Sequence, residues 1–290
     1  MLNALFLQEI FGSKLILRDT SLYIIENMMQ KLSDSTKITE ISNKKHTASN
    51  GDMDGKKQNP YDSLEDNSIV IITISGIMFK YGYWDYGCDD FADMIRLAGQ
   101  SDRVTGIVLV INTPGGTTNS IIQLEDALRN RTKPCIALVD GQCCSGGIYI
   151  ASFCDEIYAM NRMCEIGSIG TYAQIYDESE RLKNYGYKII QIYPPESKYK
   201  NLSHREALEG KPERLIKEEL TPFAIHFQNI IKENIPGIDL SEEGILEGKV
   251  FYSYDAVANR LIDGIMNLEQ VVSRVRELSQ INQNIYLLFK

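Results

Sequence analysis

From Ser68 onward, short and nearly continuous apolar runs alternate with amphipathic ones. Ile69 to Ile74, Gly106 to Asn112, Pro134 to Val139 and Glu156 to Ala159 are of strand length and rich in β-branched residues. Between them, segments near Asp89 to Ala98, from Thr118 to Asn130 and from Ser145 onward place their apolar residues at helical spacing. Unbroken apolar strands are those covered on both faces, so the alternation predicts an α/β fold: a parallel sheet with helical crossovers. Further on, the pattern predicts a strand over Tyr187 to Tyr193 and a long helix over Pro212 to Asn234. It also predicts a helix over Ser241 to Leu246, behind a Ser N-cap with acidic residues in its first turn, and helices over Tyr254 to Leu261 and Leu268 to Leu278.

Ahead of Ser68 the pattern changes. Leu5, Ile10, Phe11, Leu15, Leu17, Ile24 and Met28 recur at helical spacing, which predicts an amphipathic helical arm over residues 1–31. Residues 32–67 are polar and rich in Ser, Asn, Asp, Lys and Gly, the composition of a mobile linker. A core over 68–266 and a C-terminal helix and tail over 267–290 complete the expected organisation, with no internal repeat.

Composition narrows the function classes. The 290 residues are 43% hydrophobic and 24% charged, ordinary globular usage with enough apolar material for one sizeable core. A net charge of −9 disfavours nucleic acid and anionic membrane surfaces as partners. No stretch approaches the roughly 20 apolar residues of a membrane span. The opening segment mixes Glu9, Lys14, Arg18 and Asp19 among its apolar residues, so neither a signal peptide nor an anchor is expected there. The six cysteines, at 88, 135, 143, 144, 154 and 164, lack paired CxxC spacing and fall mostly in apolar runs. They are expected to be reduced, buried small side chains, with no metal site and no cofactor.

The candidate chemistry lies in three glycine-rich turns. Gly141-Gln142-Cys143-Cys144-Ser145-Gly146-Gly147 joins a strand-like run to a helix-like one, so the Ser145 hydroxyl is expected at a helix N-terminus. Unpaired amides and the positive end of the helix dipole favour developing negative charge there. Thr113-Pro114-Gly115-Gly116 follows another buried strand and lets backbone N–H groups approach a substrate carbonyl. Gly167-Ser168-Ile169-Gly170 supplies a second serine. Each is individually ordinary: Ser145 alone reads as a helix cap, and a Gly pair after a strand as a turn. Cys144 competes with Ser145 as nucleophile but is expected to face elsewhere on such a turn. A serine nucleophile needs a base. The three histidines, His46, His204 and His226, are remote in sequence, whereas Lys198 and Lys200 follow the Tyr187 to Tyr193 run. A lysine base must be held neutral, which asks for burial and hydroxyl neighbours such as Ser168.

TPGG, GQCCSGG, EIGSIG and a lysine after a strand, in that order, resemble the signal peptide peptidase A family of serine proteases over about Ile69 to Asp263. The resemblance implies a ClpP/crotonase-like fold and a serine endopeptidase with a Ser-Lys dyad. Carried over by position, it makes Ser145 the nucleophile, Lys200 the base, Gly116 and Gly146 the oxyanion donors, Ser168 the residue that orients the base, and Gly115 and Gly147 substrate-binding. Thr113 stands where relatives commonly have Ser, Cys143 and Cys144 where they have small residues, and Lys198 is the alternative base. The arm and the single copy are most similar to phage and prophage head proteases. That implies polypeptide substrates in trans, among them capsid or scaffold proteins, in a bacterial cytoplasm or phage prohead. It also implies a homo-oligomer in which one protomer's lysine completes another's site. A signal-peptide-degrading peptidase without an anchor, a crotonase-type acyl-CoA enzyme and an inactive scaffold are the alternatives.

Overall fold

The computed structural model describes residues 15–17, 59–82 and 86–288. Five parallel strands form the backbone of the sheet: β2 (Ser68–Ser75), β3 (Val104–Thr113), β5 (Cys135–Cys144), β6 (Glu156–Ala159) and β9 (Gly264–Ile265), side by side in that order. Helix α1 (Cys88–Gln100) crosses from β2 to β3, α2 (Ile122–Arg129) from β3 to β5, and α3 (Gly146–Ala151) from β5 to β6. The predicted parallel α/β architecture is therefore what the chain adopts.

Strand pleating explains why β3 and β5 read as unbroken apolar runs. Ile107, Leu109 and Ile111 of β3, with Ala137 and Val139 of β5, enter the main core beneath α1, α2, α3 and a later helix, α6 (Thr221–Asn234). Their neighbours Val108, Val110, Ile136 and Leu138 point the other way and pack under the C-terminal helix α8 (Leu268–Leu288) through Val271 and Val275. Both faces are covered, so neither has a polar register. Gly106 is where α8 comes closest: a β-carbon there would lie 2.1 Å from Val275 Cγ1.

Past Val139 the ladder between β3 and β5 is irregular, the pairing jumping to Thr113 with Cys143. The Asn112 carboxamide fills the irregularity, accepting a hydrogen bond from the Gln142 amide at 3.1 Å. This carries β5 further than its apolar run suggests. Its first half pairs with β6, and Gln142 to Cys144 pair with β7 (Glu165–Gly167), which pairs antiparallel on its other edge with β8 (Val250–Tyr252). The short strand β4 (Gly115–Thr117) follows β3 directly, and β1 (Leu15–Leu17) pairs with it antiparallel.

Several elements differ from the expectation. Leu15 to Leu17, expected within a helix, form a strand; the rest of the arm, most of the linker and Tyr83 and Trp84 lie outside the described residues. Residues 59–67, assigned to the linker, dock on the core: the Asn59 side-chain Nδ2 donates to the Leu97 carbonyl at 2.8 Å and Tyr61 packs against the apolar cluster. Tyr187 to Tyr193 pairs with no strand, and Ile189, Ile190 and Ile192 are exposed. Ser241 to Leu246 forms turns rather than a helix. Gly244 sits at φ +78°, and Asp239 ties back the Ser241 amide and hydroxyl at 2.9 and 2.6 Å, an arrangement that closes a turn. The long helix before Asn234 forms, interrupted by a π-helical turn at Ile216–Leu220. Two further short helices, α4 (Ser179–Asn184) and α5 (Leu202–Leu208), lie in the segment after β7, and α7 (Ser253–Ala258) follows β8.

Candidate active site

Ser145 stands at the junction of β5 and α3 with φ 53° and ψ −113°. A non-glycine residue rarely holds positive φ, and such strain persists only where the surroundings over-determine it. Here the restraints are explicit. The Ser145 amide donates to the Gly167 carbonyl at 2.8 Å, while its carbonyl accepts the Tyr149 amide at 3.0 Å as the first bond of α3. The Ser145 hydroxyl makes no capping bond, so it is not spent on the helix. The amides of Gly146, Gly147 and Ile148 lie in the first turn of α3, where the helix supplies no acceptor for them.

Gly167 carries φ +123°, and a β-carbon on it would sit 2.5 Å from the Lys249 carbonyl oxygen. Only glycine fits that approach. Because Gly167 holds the Ser145 amide, its neighbour Ser168 necessarily lies close to Ser145; Ser168 also has positive φ, 54°, and its amide donates to the Lys249 carbonyl at 2.9 Å.

The third turn arrives through β3. Thr113 pairs with Cys143 in register, and a β-carbon on Gly147 would be 2.7 Å from Thr113 Cγ2, which fixes how closely the two turns pack. The Thr113 hydroxyl donates to the Gly76 carbonyl and accepts the Gly115 amide at 3.1 Å, so it locks the start of β4. On one edge of β4, Gly115 accepts the Met78 amide at 2.8 Å and Thr117 donates to the Met78 carbonyl at 3.1 Å. Backbone groups alternate along a strand, so the Gly116 N–H and C=O face the opposite edge. A β-carbon on Gly116 would lie 1.8 Å from the Met78 carbonyl oxygen.

Five of the predicted positions, Gly115, Gly116, Ser145, Gly146 and Gly147, thus sit at two apposed turns with Ser168 beside them. The lysines do not join them. Lys198 and Lys200 are exposed, Lys198 stacks its ammonium over the Tyr199 ring, and no hydrogen bond links either to Ser145 or Ser168, whereas Ser145 is only 1% exposed. Cys144 is fully buried, its thiol directed to the Glu165 carbonyl at 3.6 Å, and burial pushes the Cys143 thiol well above its ordinary range. Neither is presented as a nucleophile. His226 is exposed on α6 and meets the Tyr149 hydroxyl at 3.2 Å, and that hydroxyl donates to Glu125 at 2.7 Å. The sequence reading missed the Thr113 hydroxyl as a lock on the glycine turn and missed the Lys249 carbonyl altogether. The first had a signal in the TPGG motif, the second none.

Residues 127–282, more than half of the chain, match the profile of Peptidase family S49. The chain belongs to peptidase family S49. The matched span holds Ser145, Ser168 and both lysines, while the Gly115-Gly116 turn precedes it. Among curated S49-like relatives, the chain is 26% identical over 200 residues to Protease 4 of Salmonella typhi, covering 68% of this chain and 32% of that protein. It is likewise 26% identical over 204 residues to the chloroplastic serine protease SPPA of Arabidopsis thaliana, covering 68% and 29%. It therefore spans about a third of the length of these relatives. Among solved structures, it is similar to a mutant of the 1510-N membrane-bound stomatin-specific protease in complex with a substrate peptide. That match has 19% identity and a TM-score of 0.45, over 72% of this chain and 80% of that one. Among the described residues of this S49 member, no helix is long and apolar enough to cross a membrane.

Proposed function

We infer that the chain is a serine endopeptidase acting on polypeptides in trans. The observation that carries the reading is the strained Ser145 backbone, which holds a hydroxyl free of capping duty between the first turn of α3 and the Gly115-Gly116 turn. In this reading Lys200 takes the Ser145 proton as Oγ attacks the peptide carbonyl. The Gly116 and Gly146 amides bind the tetrahedral oxyanion, the amine product leaves with a proton from the lysine, and water hydrolyses the acyl-enzyme. Gly115 and Gly147 shape the substrate path, and Ser168 orients the base.

Lys200 follows an extended, exposed apolar run that contains Ile189, Ile190 and Ile192, the last 87% exposed. Exposed apolar surface of this kind marks an interface, which supports a homo-oligomer in which Lys200 of one protomer serves the serine of the next. Capsid or scaffold proteins are the substrates we assign, on the resemblance to phage and prophage head proteases.

Fluorophosphonate labelling with hydrolysis of casein and of co-expressed capsid protein tests the reading. Ser145→Ala is expected to abolish both signals. Because the hydroxyl makes no cap bond, its stability should stay within about 0.5 kcal/mol of wild type. Lys200→Ala should be equally inactive and Lys198→Ala nearly unaffected, since residues acting as one unit are not additive. Turnover by a folded Ser145→Ala chain ends the serine mechanism.

A further inference from the structure

The edge of β4 that faces away from Met78 is occupied by the chain itself. β1 pairs antiparallel along it, Leu15 with Thr117, Ile16 with Gly116 and Leu17 with Gly115. Since the Gly115 carbonyl and the Thr117 amide are bonded to Met78, the residue whose N–H and C=O face β1 is Gly116, and its register partner is Ile16. The Gly116 amide is one of the two oxyanion donors assigned above. An extended segment from the N-terminal region therefore lies along the backbone edge a peptide substrate would use, opposite the donor that substrate needs. The same molecule has its nucleophile 1% exposed, closed to a polypeptide arriving in trans.

We propose that the segment around Leu15–Leu17 is an intramolecular strap that occupies the peptide-binding edge of β4 and holds the protease closed until it is displaced. The inference rests on the assignment of Gly116 to the oxyanion site. Strand addition to an open sheet edge draws its affinity from main-chain hydrogen bonds, and the attached segment competes at the high effective concentration of a tether. Displacement requires no covalent step: a substrate or partner that binds the arm more tightly than β4 does opens the edge.

The test uses the full chain and two arm variants, Ile16→Pro and Leu17→Pro, each of which disfavours the β1 pairing. Hydrogen exchange of the Gly115–Thr117 region is followed alongside hydrolysis of a fluorogenic aliphatic peptide. In both variants the Gly116 amide should exchange at least tenfold faster, with exchange in Ser68–Ser75 unchanged as the control for an intact core. Hydrolysis should rise about tenfold in kcat/KM, mainly through a lower KM. Unchanged Gly116 exchange overturns the strap. Faster exchange with an unchanged hydrolysis rate overturns its inhibitory role. Faster exchange with no hydrolysis by any chain, wild type included, leaves the strap standing and instead removes the peptidase reading on which its purpose depends.

Discussion

Gly116 and Thr113 set the geometry of β4. Gly116 has no room for a β-carbon beside the Met78 carbonyl, whereas Gly170 has open space around the same position. Gly116→Ala is expected to cost about 1–3 kcal/mol through forced displacement of β4 and to abolish hydrolysis. Gly170→Ala should stay within about 0.5 kcal/mol of wild type. Urea midpoints together with fluorophosphonate labelling check both. Thr113→Val keeps the shape but deprives the buried Gly115 amide of its acceptor, at a cost of about 1–3 kcal/mol. Labelling of Ser145 should fall more steeply than stability, because the hydroxyl holds the turn that carries the proposed oxyanion donor, Gly116. The glycine turns were legible because few residue types tolerate such backbone positions, and the place of Ser145 because a strand-like run meets a helix-like one there. The Lys249 carbonyl was not, because any residue supplies a carbonyl and nothing local records which one is used.

At the scale of elements, the buried parallel strands were the most legible feature, since apolar cover on both faces leaves an unmistakable run. What failed was context. Tyr187 to Tyr193 has the composition of a strand but pairs with none among the described residues, and Ser241 to Leu246 has a helix start cancelled by Gly244 at positive φ. The C-terminal helix α8, read as an appendage, is the cover of a second core. Its clamp is Arg274, whose guanidinium meets Glu156 of β6 at 2.7 Å, while the Tyr158 hydroxyl donates to the same carboxylate at 2.9 Å. These bonds hold the Glu156 carboxyl below its ordinary range, the Arg274 hydrogen bonds contributing most. A depressed carboxylate stabilises the fold above its unfolded pKa, and that contribution disappears as pH falls through the lower folded value. Arg274→Ala should therefore lose on the order of 1 kcal/mol at neutral pH, and the gap to wild type should narrow on acidification. Denaturation series at neutral and acid pH would show whether the gap narrows.

At the scale of the whole molecule, the proposed homo-oligomer would bring the exposed Lys200 of one protomer to the buried Ser145 of another. Mixing Ser145→Ala chains with Lys200→Ala chains, each inactive alone, should restore part of the casein hydrolysis, because hybrid assemblies contain interfaces with both groups intact. No restoration would place serine and base in the same chain. Ile192→Asp should weaken assembly, seen as a smaller mass by light scattering, and lower activity in parallel. One more consequence follows from β7 lying between β5 and β8. The strand whose Gly167 holds the Ser145 amide is itself held by Val250 and the Lys249 carbonyl, and Lys249 comes 82 residues after Gly167 in the order of synthesis. A ribosome making this chain extrudes the serine long before it extrudes the strand that shapes it. The backbone geometry of Ser145 is thus completed only once residues 249–252 have left the ribosome.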